Sequence, residues 1–232
     1  MQVSLIIPAY NEEGRLPPFL RQLETWNREH GTVSEILVVD DGSTDRTTAL
    51  ADAFRHRLPL TIIRVPNNRG KGAAVQAGVQ AATGDLLIFM DADGATGPAE
   101  LPKMLEALAR APVAVGNRWM PGAEVREREA FRAFSGWVYR TYVGLFGLRG
   151  IDTMCGFKGF RRQAARALFA HLLHERWLFD TEIMLRARRL GFRIENFPIQ
   201  WTSKHGSKLK TSVLAKALVE IPLLAWRVSQ EK

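Results

Sequence analysis

LLIFMDADG, residues 86–94, decides how the chain is read: five apolar residues of strand length run straight into two aspartates, and a glycine closes the turn. Strand side chains alternate in direction, so Asp91 and Asp93 can face one point. The same pattern occurs upstream. Residues 3–7 run apolar into Pro8, Ala9, Tyr10, Asn11 and Glu12, and residues 36–39 run into Asp40, Asp41, Gly42 and Ser43. Further apolar runs lie at 60–65 and 113–115, with segments of helix length between the runs. This alternation predicts an α/β fold with a largely parallel sheet, whose ligands collect at the carboxyl edge where the acidic motifs stand.

Helix signals fit between the runs. Pro17 and Pro18 suit a first turn, Ser43 and Asp45 bound a capping segment, and Gly97 with Pro98 opens a helix carrying Leu101, Leu105 and Leu108. Beyond about residue 117 longer helical stretches are expected, broken by a Gly/Cys/Phe-rich segment at 152–160. There is no internal repeat, low-complexity tract or long polar linker, so 1–232 is expected to be one domain, with 118–232 elaborating upon 1–117.

Composition narrows the function. With 46% hydrophobic and 24% charged residues the chain is of ordinary globular type, and disorder is excluded as an overall description. A net charge of +8 favours anionic partners: nucleic acid, phosphorylated small molecules or an acidic membrane surface. Acidic residues at three strand ends would repel a polyanion, so nucleic acid is not the expected partner. Cys155 is the single cysteine, which excludes an internal disulfide and a cysteine-based zinc site and fits a reducing compartment. The N-terminus lacks signal-peptide features, and the late apolar stretch 213–226 is interrupted by Lys216, Glu220 and Pro222. It also falls short of the ~20 residues a spanning helix needs, so no transmembrane segment is expected.

Each motif admits a chemical and a local reading. Asp91 and Asp93 suit a hard divalent cation, Mg²⁺ or Mn²⁺, which takes one or two carboxylates and completes its shell with phosphate and water; alternatively one caps a helix and the other is solvated. Asp40 and Asp41 form a second acidic pair or an Asp-Gly-Ser turn. Two acidic strand ends in one sheet repel unless a cation or hydrogen-bond donors intervene. Arg69, Gly70, Lys71 and Gly72 precede a helix and read as an anion-binding loop or as a solvated basic turn, though not as a Walker A motif.

Taken together, IIPAYNEEGRLP at 6–17, VVDDGSTDRT at 38–47, NRGKGAAV at 68–75, MDADGAT at 90–96, GNRW at 116–119, DTMCGFKGF at 152–160, ERWLFDTE at 175–182 and WTSKHGSKL at 201–209 resemble family 2 glycosyltransferases of the GT-A fold, specifically the dolichyl-phosphate glucosyltransferase branch. The blocks occur in family order across nearly the whole chain. The resemblance implies a metal-dependent hexosyltransferase with a nucleotide-sugar-binding half at 1–117 and an acceptor-binding half at 118–232.

Residue by residue, it implies that Pro8, Ala9, Tyr10 and Glu12 hold base and ribose with Asp40 and Lys71, and that Asp41 lies beside that pocket. Asp91, Ala92 and Asp93 match the family metal motif, with Asp93 binding the ion that bridges the donor diphosphate and Asp91 supporting ion or sugar nucleotide. Arg118 is placed against the donor and acceptor phosphates, or in a surface salt bridge. Arg132 and Ser135 resemble an acceptor-phosphate pair. Trp177, Phe179, Asp180 and Glu182 match a block at the acceptor entrance, or a buried aromatic cluster capped by acidic residues. Ser207 and Lys208 match a loop that closes on the diphosphate. Lys204 and His205 depart from the arginine of mannosyl relatives, and Gly94, Ala95 and Thr96 stand where some of those carry glutamine, which favours UDP-glucose.

The expected reaction is inverting transfer of glucose to a polyprenyl or dolichyl monophosphate. A phosphate monoester, with a second pKa near ~6, is already largely ionised and needs no dedicated base; a hydroxyl acceptor would require one, with Asp180 as the candidate. A cytoplasmic enzyme lying peripherally on an anionic membrane surface is expected, through stretches 131–148 (Trp137, Tyr139, Tyr142 and Phe146 with Arg132 and Arg140) and 208–227 (Leu214, Leu218, Ile221, Leu224 and Trp226 among basic residues). A homo-oligomer is left open.

Overall fold

The computed structural model describes residues 1–126, 130–203 and 212–231, with the side chains of 130–132 and 212–215 left undescribed. The first half follows the expected alternation: β1 (Val3–Ala9), α1 (Leu16–His30), β2 (Glu35–Asp40), α2 (Thr47–Asp52), β3 (Leu60–Arg64), α3 (Lys71–Ala81), β4 (Leu86–Met90), a 3₁₀ turn (Pro98–Glu100), α4 (Leu101–Arg110) and β5 (Val113–Asn117). Local chemistry accounts for the boundaries. Pro17 and Pro18 lie in the first turn of α1, which buries Leu16, Phe19, Leu20 and Leu23 and stops at Gly31, whose positive φ of 59° lets its N–H reach the Asn27 carbonyl. Before α2, the Asp45 carboxylate accepts from the Thr47 N–H at 2.9 Å.

The second half contributes β6 (Glu124–Arg126), α5 (Ala130–Val143), a π-helical turn (Gly144–Leu148), β7 (Phe157–Arg161), α6 (Arg162–Phe169), α7 (Phe179–Arg189), β8 (Ile194–Pro198), β9 (Gln200–Thr202) and α8 (Ser212–Gln230). Seven strands form the main sheet in the order β3-β2-β1-β4-β7-β5-β8, and β6 pairs with β9 apart from it. The sheet is mostly parallel. β7 is the exception, antiparallel to both β4 and β5. The longer helical stretches expected beyond residue 117 are present as α5 and α8, whereas β7, at a central place, and β8, at an edge, lie outside the expected apolar runs. Sequence periodicity hides β7 because its sequence FKGFR carries Lys158 at a fully buried position.

The antiparallel course of β7 positions the site. Phe157 at its start pairs with Met90 at the end of β4, so the preceding turn, 152–156, stands at the carboxyl edge beside Asp91. Two apolar layers clamp the sheet. One packs α1 and α4 on one face through Phe19, Leu20, Met104 and Leu108. On the other face α3, α6, α7 and α8 gather around Phe89, Phe160, Phe179 and Ile221.

No helix among the described residues is long and apolar enough to cross a membrane. α8 is instead docked on α7: the Arg186 guanidinium meets Glu231 through both terminal nitrogens, at 2.7 and 2.5 Å, and donates through Nε to Glu182 Oε1 at 2.9 Å. Glu182 is fully buried and also accepts the Leu173 and His174 N–H groups. Arg186→Ala leaves a buried carboxylate without its cation, which costs ~3 kcal/mol. A fall of that size in unfolding free energy by urea titration is expected, and an unchanged midpoint would show that the pair is dispensable.

Candidate active site

At the end of β1, Pro8 and Ala9 lie in the sheet and Tyr10 is half-buried at its edge. Asn11 takes a left-handed φ of 52°, a conformation asparagine tolerates better than most residues. Its N–H donates to Ser43 Oγ at 3.0 Å and its Oδ1 accepts from the Thr44 N–H at 2.9 Å, so the loops after β1 and β2 are one unit. Glu12 donates its N–H to Thr47 Oγ1 at 2.7 Å and pairs through its carboxylate with Arg15 at 2.6 and 2.5 Å.

The acidic pair after β2 is held by hydrogen-bond donors. Asp40 accepts from the Ser43 N–H at 3.0 Å and from Thr48 Oγ1 at 2.6 Å. Asp41 accepts from the N–H groups of Arg69 and Gly70 at 3.0 and 2.8 Å. Burial nevertheless raises the Asp41 carboxyl above the usual carboxylate range, against the pull of those two bonds. Ala73, in the first turn of α3, donates its N–H to the Glu175 carbonyl at 3.0 Å. The basic loop 69–72 thus spends these donors on its own chain, and the anion it binds there is Asp41.

Four charged side chains of alternating sign run inward from the sheet edge. Lys71 Nζ sits 2.6 Å from Asp91 Oδ1 and 3.9 Å from Asp180 Oδ2. Asp180 in turn pairs with Lys158, whose ammonium group also donates to the carbonyls of Thr153 at 2.9 Å and Cys155 at 2.5 Å. Burial opposes the charged form of Lys71, yet Asp91 and Asp180 raise its pKa well above the ordinary lysine value. Burial likewise pushes the Asp180 carboxyl upward, while Lys158 and Lys71 pull it down. Asp93 is raised first by burial and then by the charge of Asp91, and its Oδ1 accepts from the Ala95 N–H at 2.9 Å.

Arg118 lies just beyond β5. Its guanidinium meets Asp152 in a bidentate pair, Nε to Oδ2 at 2.8 Å and Nη2 to Oδ1 at 2.9 Å, and lies 5.3 Å from the Trp201 ring centroid. Of the two expectations for this residue, the surface salt bridge is corrected: both partners are largely buried. Burial alone would raise Asp152, but Arg118 holds it below the usual range. Neighbouring Trp119 carries Arg140 of α5 over its ring at 5.4 Å. Cys155 is buried and its thiol is pushed up to about 12, first by burial, so it is not a nucleophile.

Residues 4–169 match the model of Glycosyl transferase family 2. The chain belongs to that family. Among curated relatives, the dolichyl-phosphate beta-glucosyltransferase of Saccharomyces cerevisiae is 36% identical over 94% of this chain and 73% of its own. The Drosophila melanogaster enzyme of the same name is 38% identical over 90% and 69%, and the human one 32% identical over 100% and 79%. Among solved structures, glucosyl-3-phosphoglycerate synthase of Mycobacterium tuberculosis, in complex with Mn²⁺, UDP and phosphoglyceric acid, superimposes with a TM-score of 0.75 at 17% identity, covering 100% of this chain and 79% of that one. This likeness establishes the GT-A architecture for the glycosyltransferase.

Within it, Asp91, Asp93, Lys71 and Asp180 converge at the carboxyl edge, whereas Glu12, Asp40 and Asp41 hold the adjoining loops. Trp177 is half-buried and packs edge-on to Tyr139 at 6.2 Å. Ser135 lies half-buried on α5; the Arg132 side chain, Lys204, His205, Ser207 and Lys208 lie outside the described residues. Sequence reasoning missed Lys158, Asp152 and Gly156, although all three lie in the quoted DTMCGFKGF block.

No group of three or more His, Cys, Asp or Glu side chains suited to a metal occurs among the described residues. Asp91 and Asp93 offer a pair of hard carboxylates, and the burial and repulsion that raise Asp93 are what a divalent cation would relieve. They fit a cation that completes its shell with phosphate and water. Gly156 fixes the first of them: the Asp91 N–H donates to its carbonyl at 3.1 Å, and a Cβ at Gly156 would overlap the Asp91 carboxylate. Gly156→Ala is therefore expected to weaken Mn²⁺ binding by roughly tenfold or more, measured by calorimetry, with the melting temperature as control. Wild-type Mn²⁺ affinity in a folded variant would remove Asp91 from the ion site.

Proposed function

We propose that this family 2 glycosyltransferase moves glucose, with inversion, from UDP-glucose to a polyprenyl or dolichyl monophosphate presented at a membrane surface. The activity for which the curated relatives are named supports the sugar and the acceptor class. Asp180 carries the choice of acceptor. A hydroxyl acceptor needs a general base with an oxygen within hydrogen-bond reach of the proton it takes. Both Asp180 oxygens face ammonium groups, Lys158 and Lys71. A phosphate monoester needs no such base.

The residues then divide the work. Pro8, Ala9, Tyr10, Glu12, Asp40 and Asp41 shape the base and ribose pocket, and Asp91 and Asp93 hold Mg²⁺ or Mn²⁺. That ion, when bound, supplies positive charge against the negative charge developing on the departing diphosphate. Lys71 presents a second, fixed cation at the same edge, already oriented by Asp91. Arg118, locked on Asp152 and flanked by Trp201, offers charge to the incoming acceptor phosphate, with Ser135 and Trp177 lining the approach.

The membrane reading gains support from the outer side of α5 and α8. Tyr142 Oη donates to the Leu218 carbonyl at 2.8 Å, bringing the two helices together. Ile221, Leu224 and Val228 face inward, yet Phe134, Trp137, Leu218, Val219, Leu223 and Trp226 are exposed. The helices therefore cover the core and also present a second apolar face, with Arg140, Lys216 and Arg227 nearby. Each such cation contributes roughly 1 kcal/mol at an anionic surface.

The reading is tested with labelled UDP-glucose, Mn²⁺ and a short polyprenyl phosphate. Labelled lipid is expected from the wild type, and Asp93→Asn should lower turnover by orders of magnitude while retaining the fold. Label transfer to free saccharides in place of lipid phosphate would overturn the acceptor. In a second experiment, vesicles with anionic lipid should sediment the protein at low salt and release it at high salt. Trp137→Glu with Trp226→Glu should abolish sedimentation without unfolding; undiminished binding would place the lipid contact elsewhere.

A further inference from the structure

Lys158 is the one long cationic side chain among the described residues that has no exposure at all, and it belongs to a strand with no place in the expected reaction. Burying an ammonium group is costly unless it is paired and hydrogen-bonded. Its three partners account for that: the Thr153 and Cys155 carbonyls and Asp180 Oδ1. From β7, Lys158 thereby ties together the turn before its own strand and the first turn of α7.

The array has a direction. Asp180 shares its two oxygens between Lys158 and Lys71, and Lys71 reaches past it to Asp91. Phe89 lies beneath both cations, its ring centroid 5.2 Å from Lys158 Nζ and 5.6 Å from Lys71 Nζ. Without Lys158, Asp180 would be a buried carboxylate with Lys71 as its one remaining cation among the described residues, and Coulomb attraction at low dielectric would draw Lys71 inward, off Asp91. The turn 152–156 would lose the donor that fixes two of its carbonyls, and with it the seating of Gly156 against Asp91.

We propose that Lys158 is a positioning residue of the transfer reaction: by neutralising Asp180 from within, it keeps the Lys71 ammonium group at Asp91 on the donor side of the site. This rests on the transferase reading, so the test uses a readout that needs neither acceptor nor turnover. UDP affinity is measured by calorimetry in the presence of Mn²⁺ for wild type, Lys158→Met, Lys71→Met and the double variant. Lys158→Met is expected to weaken UDP binding tenfold or more when Lys71 is present, and less than twofold in the Lys71→Met background. A merely structural role would lower affinity by the same factor in both backgrounds, and that result, or an unchanged affinity in folded Lys158→Met, overturns the proposal.

Should Lys158→Met fail to fold, Lys158→Met with Asp180→Asn removes both buried charges together, an exchange far less destabilising than removing one. The pair is expected to fold, shown by its circular dichroism and melting transition, and, with no charge at position 180 to draw Lys71 inward, to hold UDP affinity within about twofold of the wild type. A tenfold loss of affinity in that folded pair likewise overturns the proposal. A chain that binds UDP and yet moves no glucose to lipid phosphate would fail the acceptor assignment alone, leaving the affinity comparison decisive for Lys158.

Discussion

A lysine ammonium group with no access to water, at the centre of a seven-stranded sheet, sets the terms for everything around it. Lys158 tolerates its position only because Asp180 and two carbonyls surround it. Those partners exist together only if β7 runs against its neighbours. A parallel strand would deliver its last residue to the carboxyl edge; the antiparallel one delivers its first, together with the turn 152–156. From that turn Asp152 reaches Arg118, Cys155 and Thr153 reach Lys158, and Gly156 reaches Asp91. One reversed strand thus supplies the inner wall of the site.

The charges at this edge are ordered by sign. Asp91 meets Lys71, Asp180 meets Lys158, Asp152 meets Arg118 and Glu12 meets Arg15, while Asp40 and Asp41 are satisfied by N–H and hydroxyl donors. Asp93 differs. Its carboxyl is raised by burial and by Asp91, and its cationic neighbours Arg15 and Lys71 act only as weaker opposing charges. The chain's excess of positive charge therefore coexists with a local demand for more of it at Asp93, a demand that the proposed divalent cation would meet.

What the sequence disclosed follows from how local each signal is. β1, β2 and β4 are apolar runs ended by acidic turns, so both the strands and the motifs at their ends were legible from spacing alone. The glycosyltransferase assignment rested on eight ordered blocks, and the family match agrees with it. β7 was not legible: Lys158 and Arg161 break its apolar pattern, and the reason a lysine is tolerated there lies 22 residues later, at Asp180. The loop 69–72 shows the same limit: two of its backbone N–H groups, those of Arg69 and Gly70, are taken by Asp41, 29 residues upstream of Gly70. Pairings across such separations are properties of the fold, and no window of sequence contains both halves.

The proposed lipid side and the chemistry are joined by hydroxyl groups. Tyr139, on the inner side of α5, shares a hydrogen bond of 2.6 Å with Thr181 Oγ1, and Thr181 donates to Thr153 Oγ1 at 3.3 Å. Thr181 adjoins Asp180, and Thr153 lends its carbonyl to Lys158. All three hydroxyls are buried, where an unmade hydrogen bond is expensive, so α5 cannot slide along α7 without breaking the chain. Trp137 and Phe134, on the exposed side of the same helix, are consequently held in fixed register with the Asp180 pair. An acceptor whose tail rests against those aromatics would bring its phosphate to a site whose distance from the lipid surface is set by the protein interior rather than by a flexible tether.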